Sequence, residues 1–243
     1  MKQVSQAVLR RCFFRWFFGS AAVFTPQRMQ TLGLVYAMEP AVRDLYPEEE
    51  EYRKRLNSYR TLFNTEVQIG SAVIGMAIGL EEDRANGSGM DDDLMRTIRS
   101  GLMGSLAGLG DALLVGALIP LLLCIALDLG LAGAVSYLLV YGILGTWLQY
   151  RLFLRVYHLR DEGLAFLYSS RTKTAVRILQ RCALLCIGIA MGHYGLPEHT
   201  LPGLSAGILL VLCGSLILRR TSVSVRGLLG IYTVLACILT FVF

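Results

Sequence analysis

Apolar runs separated by short polar connections fill the second half of the chain. They lie near Ala112–Leu127, Leu131–Trp147, Ile178–Leu196, Leu204–Leu218 and Leu228–Phe243. Several are shorter than the roughly 20 residues that a helix needs to cross the hydrocarbon core of a bilayer. Because backbone that is not helical survives at membrane depth only where protein or a water-filled cavity surrounds it, these short runs indicate broken or re-entrant helices. The pattern therefore predicts an all-α integral membrane protein, a polytopic helical bundle with about five apolar spans.

Composition and the distribution of charge support this class and give an orientation. Hydrophobic residues make up 54% of the 243 residues and charged residues only 17%, against roughly 25% charged residues in soluble domains. After residue 100, the basic residues fall between Arg151 and Arg181 and between Arg219 and Arg226. Such loops stay on the cytoplasmic side, which places the N-terminus in the cytoplasm and the C-terminus outside. Since orientation accounts for these basic residues, we do not expect nucleic-acid binding.

The first sixty residues are more polar and mix bulky aromatic residues with arginines. The stretch Arg10–Phe18 suits a helix that lies in the membrane interface with its arginines reaching lipid phosphates. Arg15 interrupts the apolar run that a signal peptide would need. Glu48–Glu51 indicates the acidic first turn of a helix. We therefore predict an N-terminal interfacial helical arm over residues 1–60 and a membrane transport core over residues 61–243.

Four glycines and a carboxylate precede the first long apolar run, in the stretch Gly101–Asp111. Gly104 and Gly108 have the spacing by which small residues pack membrane helices together. The Gly-Lys-Ser/Thr ending of a phosphate-binding loop is absent. Packing does not explain Gly110 followed by Asp111, because a continuous helix would carry the carboxylate into lipid at a cost of a few kcal/mol or more. A break in the helix before Asp111 would remove that cost.

The sequence shows no residue that is suited to carry a phosphoryl group. His193 and His199 fall at an outer membrane edge, and His158 is the one histidine placed to meet a cytoplasmic phosphate donor, although a surface role fits it better. The six cysteines are scattered, without a Cys-x-x-Cys pair. Small core residues in a reducing setting explain them better than a disulfide or a metal site. We expect no catalytic residue, metal or cofactor in this chain.

Six short motifs occur in a fixed order over residues 10–120. They are Gln27-Arg28-Met29-Gln30-Thr31-Leu32-Gly33, Tyr36-Ala37-Met38-Glu39-Pro40, Leu45-Tyr46-Pro47, Phe63-Asn64-Thr65, Leu80-Glu81-Glu82-Asp83-Arg84-Ala85-Asn86-Gly87 and the glycine stretch itself. In this order the motifs resemble the D component (IID subunit) of mannose-type sugar phosphotransferase systems. The resemblance implies a subunit of the bacterial cytoplasmic membrane that pairs with a C component and forms with it the path of a hexose or amino-hexose. It also implies a trimer of such heterodimers, and cytoplasmic A and B components that relay phosphate from phosphoenolpyruvate to the entering sugar.

Polar residues at both ends of the short apolar segment Gln68–Leu80, and at the glycine stretch, are the candidate sugar contacts. A hexose is a ring of hydroxyls, which proteins bind with carboxylates, amides and guanidinium groups. The predicted contacts are Asn64, Thr65, Glu66, Glu81, Glu82, Arg84 and Asp111, and we expect Asn64, Glu81 and Asp111 around one polar cavity. The resemblance favours a re-entrant turn at the transport path, formed by Gly104, Gly108 and Gly110.

The same residues also have structural interpretations. Asn64 and Thr65 are residue types that cap the start of a helix. The three charged residues at positions 81, 82 and 84 could form a surface ion pair of small energetic value. Nearby, Asn86–Gly87 indicates the C-terminus of a helix, and Asp91–Asp93 indicates the N-terminus of the next.

Several positions depart from the family pattern, Leu114 and Val115 among them, and they leave two functions open. Glu66 and Val67 stand where many members have Gln or His followed by proline, and Ser105 replaces the proline of the glycine motif. A charged Glu66 beside the sugar contacts could alter the substrate or could mark a subunit that has lost transport. The first function is a D-type transport subunit. The alternative is a divergent scaffold or sensing partner of the same family, which moves no sugar.

Overall fold

The computed structural model describes residues 2–167 and 169–194. These residues form ten α-helices and two π-helical segments. The α-helices are α1 (Gln6–Ala22), α2 (Thr31–Leu45), α3 (Glu49–Ser58), α4 (Val67–Ala85), α5 (Asp92–Gly110), α6 (Ile119–Asp128), α7 (Gly130–Tyr137), α8 (Gly145–Leu159), α9 (Glu162–Leu167) and α10 (Ser170–Tyr194). The π-helical segments are π1 (Asp111–Leu118) and π2 (Leu138–Leu144). The predicted all-α class is confirmed.

Two helical stretches are long and apolar enough to cross a membrane, judged by length and composition. They are Asp92–Cys124 and Gly130–Leu159, and they overlap the first two predicted apolar spans. The third predicted span, Ile178–Leu196, overlaps α10. The predicted spans 204–218 and 228–243 lie outside the described residues, as do the connections next to them.

Short polar signals set several helix boundaries where the sequence predicts them. The first turn of α3 is acidic, with Glu49–Glu51 in it. Asn86 follows the last residue of α4, and Gly87 has a φ of 95°, a left-handed conformation that favours glycine. Asp91 caps α5 by accepting a hydrogen bond from the backbone N–H of Leu94 at 2.7 Å. These predictions of helix ends are confirmed.

The chain divides into two compact units. The first contains Met1–Ala112 and Leu138–Lys173, and the second contains Leu113–Tyr137 and the chain from Thr174. In the first unit, α4 packs against α1, α2 and α8, and α1 packs against α2. Three helices of the predicted arm therefore belong to the same unit as α4, and a boundary near residue 60 stays a prediction.

Hydrogen bonds fix the directions of the helices in the first unit. The backbone N–H of Val4 donates to Glu82 near the end of α4 at 2.9 Å. The indole N–H of Trp16 donates to the carbonyl of Val67 at the start of α4, also at 2.9 Å. Helix α1 therefore runs antiparallel to α4. Its aromatic residues Trp16 and Phe13 are fully buried in the core of the unit.

Helices α4 and α8 pack closely because two glycines of α4 face the backbone of α8. A Cβ atom on Gly75 would collide with the carbonyl oxygen of Phe153. A Cβ atom on Gly79 would lie 2.7 Å from the carbonyl oxygen of Tyr157. Cores are packed so tightly that an added methyl group here has to displace the backbone.

The structure corrects the predicted re-entrant turn at Gly104, Gly108 and Gly110. Helix α5 continues through all three glycines, and Asp111, still in the right-handed helical region, begins π1. The hydrogen-bond register of the helix therefore changes at Asp111. π-helical segments of this kind are often found at functional sites.

Candidate functional site

The predicted sugar contacts fall into two groups at opposite ends of α4. Glu66 precedes the first residue of α4, and Glu81 lies in its last turns. The fifteen residues from 66 to 81 span about 22 Å at about 1.5 Å per residue. The structure therefore corrects the expectation that Asn64, Glu81 and Asp111 surround one cavity, because the helix holds Glu81 far from the other two.

Two loops, residues 25–30 and 63–66, are tied together at the start of α4, and we call them the loop pair. The backbone N–H of Gln30 donates to the carbonyl of Phe63 at 2.9 Å. The Gln30 side chain donates to the carbonyl of Thr65 and accepts the N–H of Thr65, both at 2.9 Å. Gln30 is buried, so its amide supplies partners to backbone groups that water does not reach. One side chain thus joins the two loops.

The first loop is held in a tight and strained conformation. Thr25 and Met29 exchange two backbone hydrogen bonds, of 3.1 and 2.7 Å. Met29 has a φ of 51°, a left-handed backbone conformation that residues other than glycine adopt at a cost of order 1–3 kcal/mol. The Thr31 hydroxyl donates to the carbonyl of Arg28 at 2.6 Å. This loop therefore presents the exposed Arg28 at a fixed tip.

Glu66 caps the start of α4, where the sequence alternatives were Asn64 and Thr65. Its carboxylate accepts the backbone N–H groups of Gln68 at 3.1 Å and Ile69 at 2.8 Å. A carboxylate suits this position because the first N–H groups of a helix lack partners and its N-terminus is positive. Each carboxylate oxygen keeps a second lone pair for another donor.

The start of α4 also meets the end of α5. A Cβ atom on Gly110 would lie 2.5 Å from the Cβ of Glu66 and 3.0 Å from its Oε2 atom, so only glycine allows this approach. Asp111 follows directly, and Asp111 and Asn64 are both exposed. The buried Thr65 hydroxyl has no hydrogen-bond partner within the described part of the chain. The structure therefore brings the loop-pair residues and Asp111 to one end of α4.

At the other end of α4, Glu81 is fully buried and both of its oxygens accept phenol hydrogen bonds. Tyr46 donates to Oε1 at 3.0 Å, and Tyr59 donates to Oε2 at 2.6 Å. Burial raises the pKa of Glu81, although the two tyrosine hydrogen bonds lower it in part. Its oxygens are thus engaged by the protein itself.

Glu82 is also buried, but its partners come from other elements. Oε2 accepts the backbone N–H of Val4 at 2.9 Å and the hydroxyl of Tyr157 at 2.6 Å, and Oε1 pairs with Arg160 at 2.7 Å. Burial raises the pKa of Glu82, yet the hydrogen bonds from Tyr157, Val4 and Arg160 outweigh it, and the pKa is lowered. Glu82 therefore joins α4 to the N-terminal segment and to the end of α8.

Arg84 completes this group, and its side chain is only 7% exposed. It pairs with Asp92 at 2.7 Å and lies 3.7 Å from Glu81. Arg55 pairs with the same oxygen of Asp92 at 3.1 Å. The alternative of a surface ion pair is therefore corrected, because these charges are buried and paired. We call Glu81, Glu82, Arg84 and their partners the carboxylate network.

Several residues of both groups were not predicted as site residues. Tyr46 and Gln30 lie in motifs that carry the family resemblance, which was the available signal. Tyr157 and Arg160 follow Glu82 by 75 and 78 residues, and no local pattern connects them to it. The carboxylate network thus holds helix ends together, whereas the groups still free to bind a ligand lie at the loop pair.

Two apolar helical stretches long enough to cross a bilayer, in an all-helical fold, are what a helical membrane protein is expected to contain. A family model described as the PTS system mannose/fructose/sorbose family IID component matches residues 3–194. The chain belongs to this family, the IID membrane components of mannose-type sugar phosphotransferase systems.

Similar proteins agree with this assignment. The mannose-specific EIID component of Escherichia coli K12 is 36% identical over 146 residues, which are 59% of this chain and 50% of that protein. The sorbose-specific EIID component of Klebsiella pneumoniae is 36% identical over 132 residues, 54% of this chain and 48% of that protein. The fructose permease IID component of Bacillus subtilis is 31% identical over 113 residues, 46% and 41% of the two chains. The chain thus spans about half the length of the curated relatives it matches.

Two solved structures have a similar fold, and each comparison covers 96% of both chains. One, described as a membrane protein, has a TM-score of 0.73 at 25% sequence identity. The other is the cryo-EM structure of the mannose transporter ManYZ with microcin E492, with a TM-score of 0.59 at 24% identity. The second likeness concerns the fold alone.

Proposed function

We propose that this chain is the D subunit that forms, with a C-type membrane component, the translocation path for a hexose or amino-hexose. Cytoplasmic A and B components phosphorylate the sugar on entry, and the complex is a trimer of heterodimers in the bacterial cytoplasmic membrane. Membership of the IID family and the likeness to ManYZ support this proposal. The carboxylate network takes no part in sugar binding in this account.

The observation that carries the proposal is the meeting of the loop pair with Asp111. Glu66 lies against Gly110 at the start of α4, and the exposed carboxylate of Asp111 begins the apolar segment π1. A polar group at the mouth of an apolar segment marks a path for polar cargo by default. Broken or irregular helices supply such sites in many transporters, and here a π-helix takes that place.

The chemistry of these groups suits a sugar. Asp111 offers two oxygens to hydroxyl donors, and the Asn64 amide both donates and accepts. Each carboxylate oxygen of Glu66 accepts one hydrogen bond from the start of α4 and can accept another from a ligand. Because Gln30 and the strained Met29 fix the loops, little order has to be gained when a sugar binds.

Uptake of labelled hexoses and amino-hexoses tests the function. Cells that lack their own mannose-type system would express the A, B and C components of the same system, with and without this chain. The proposal predicts phosphorylated sugar inside the cells only when the chain is present. An assembled complex that accumulates none of these sugars would favour the alternative, a scaffold or sensing partner that moves no sugar.

A further inference from the structure

Exposed side chains on α1 change from charged to apolar along the helix. Its solvent-facing side carries Arg10 and Arg11 in the first half. Phe14 and Phe18 follow on the same side, with 48% and 68% of their surfaces exposed. Two exposed phenylalanines stacked at a centroid distance of 6.4 Å form an apolar patch that water does not favour.

Helix α8 shows the same change in the opposite direction. Trp147 and Leu148 are 54% and 53% exposed, and Arg151 and Arg155 follow them as exposed residues. The guanidinium of Arg151 lies 5.5 Å from the ring centre of Trp147. Tryptophan next to arginine is typical of the boundary between lipid and water.

Helix α2 repeats the pattern. Leu32 and Tyr36 are exposed apolar residues near its start, whereas Arg43 near its end is exposed and charged. Arg15 of α1 and Glu39 of α2 lie between these positions, but they form an ion pair with each other. Each charge of this ion pair is therefore compensated close to the position where the exposed residues change from apolar to charged.

On α1 and on α8, the change between charged and apolar exposed residues occurs at the same level of the first unit. Phe13, between Arg11 and Phe14, has its ring centroid 4.9 Å from that of Tyr150. Tyr150 itself lies between Leu148 and Arg151. Helices α1 and α8 run in opposite directions, so a single membrane plane that crosses both should reverse the order of charged and apolar residues between them. The order on α8 is the reverse of that on α1.

We propose that the cytoplasmic boundary of the lipid bilayer crosses the first unit at the contact of Phe13 with Tyr150. The hairpin of α1 and α2 then dips into lipid instead of lying flat along the interface. Hydrocarbon covers Phe14 and Phe18, and anionic lipid phosphates pair with the basic residues on the other side of the boundary. The lipid contact continues along Leu138–Leu148 of the same unit, within a stretch long and apolar enough to cross a membrane.

This boundary sets the depth of the loop pair. The eight residues from Phe14 to the end of α1 at Ala22 span about 12 Å, and the loop that follows extends further into a hydrocarbon core of about 30 Å. Arg28 and Asn64 then lie at mid-depth, where exposed polar groups must face protein or a water-filled path. The carboxylate network stays on the cytoplasmic side of the boundary.

Nitroxide depth measurement tests the proposal on the full chain in membranes, with its native cysteines replaced. Labels at Arg10→Cys, Phe14→Cys, Phe18→Cys and Val23→Cys report on α1, and labels at Leu148→Cys, Arg151→Cys and Arg155→Cys report on α8. The ratio of collisions with oxygen to collisions with a water-soluble nickel complex measures depth. Glu50→Cys is the aqueous control, and Leu139→Cys is the lipid control.

We expect the ratio to rise several-fold and steadily from position 10 to position 23, and to fall from 148 to 155. Similar values at 14 and 148 would support the single boundary. Equal depth along α1, or labels at 14 and 18 that neither reagent reaches, would overturn the proposal. A scaffold that moves no sugar would give the same depth profile, so this result and the uptake assay fail independently.

Discussion

The Tyr59 hydroxyl lies 2.6 Å from Oε2 of Glu81, and both residues are fully buried. Tyr59 follows the last residue of α3 and Glu81 is near the end of α4, so this bond ties two helix ends together. A buried carboxylate is tolerated only when such donors compensate its lost hydration. This hydrogen bond indicates a structural role for Glu81, which measurements of unfolding can test.

Glu81→Gln should lower the free energy of unfolding by about 3 kcal/mol, because removing one member of a buried charged group leaves the others uncompensated. Tyr59→Phe should cost less, about 2 kcal/mol, since it removes one hydrogen bond to a charged acceptor. Denaturant unfolding of the purified protein checks both values. Tyr36→Phe, at an exposed tyrosine, is the matched control, and equal stability of all three variants would contradict the assignment.

The two neighbouring carboxylates should respond to pH with opposite signs. The pKa of Glu81 is raised, so its contribution to stability is complete below its unfolded pKa and is lost as pH rises through the folded value. The pKa of Glu82 is lowered, so its contribution is present above the unfolded pKa and is lost as pH falls through the folded value. The deficit of Glu81→Gln relative to wild type should therefore grow as pH falls to 4.5, whereas that of Glu82→Gln should hold down to pH 4.5 and shrink only below it.

Unfolding measured at several pH values from 8 to below 4 decides this prediction. Parallel curves of stability against pH for Glu81→Gln and Glu82→Gln would contradict opposite pKa shifts of the two carboxylates.

Gly75→Ala and Gly79→Ala should each destabilise the protein by about 1–3 kcal/mol, the usual cost of overpacking. Their added methyl groups would meet the carbonyl oxygens of Phe153 and Tyr157. Gly101→Ala is the control, because nothing lies within 4 Å of its added Cβ. It should be neutral or stabilise α5 by up to about 1 kcal/mol. A Gly75→Ala variant as stable as Gly101→Ala would contradict the close packing of α4 and α8.

Helix ends could be predicted from the sequence because their signals are local. The acidic turn at Glu49–Glu51, Gly87 after α4 and Asp91 before α5 each act on backbone groups within a few residues. The family could also be predicted, since its motifs keep their order along the chain.

The carboxylate network could not be predicted, because Glu82 meets Tyr157 across 75 residues and only tertiary packing brings them together. The same motif therefore suggested sugar contact where the fold places buried ion pairs. Glu66 was interpreted as a sugar contact and not as a cap, although the start of α4 uses its carboxylate. A break in the helix was expected before Asp111, whereas α5 continues to Gly110 and π1 begins at Asp111.

Gln30→Leu should raise the KM for the sugar several-fold and lower stability by about 2 kcal/mol, since it leaves the N–H and carbonyl of the buried Thr65 without partners. We place Gln30 as a positioning residue, so Gln30→Glu, which keeps the acceptor oxygen, should have an intermediate KM. Initial rates of phosphorylation in membrane vesicles give KM and kcat separately. A loss confined to kcat, or an unchanged KM, would contradict this role.

Phosphorylation of labelled hexoses and amino-hexoses by the complete system, with Asp111→Asn compared against Asp44→Asn, tests the central claim most directly. Both substitutions replace an exposed carboxylate, but only Asp111 lies at the loop pair. At equal membrane abundance, we predict that Asp111→Asn loses at least about tenfold in rate, as expected for one charge-assisted hydrogen bond, while Asp44→Asn matches wild type. Wild-type rates for Asp111→Asn, or equal losses in both variants, would contradict a sugar path at the loop pair.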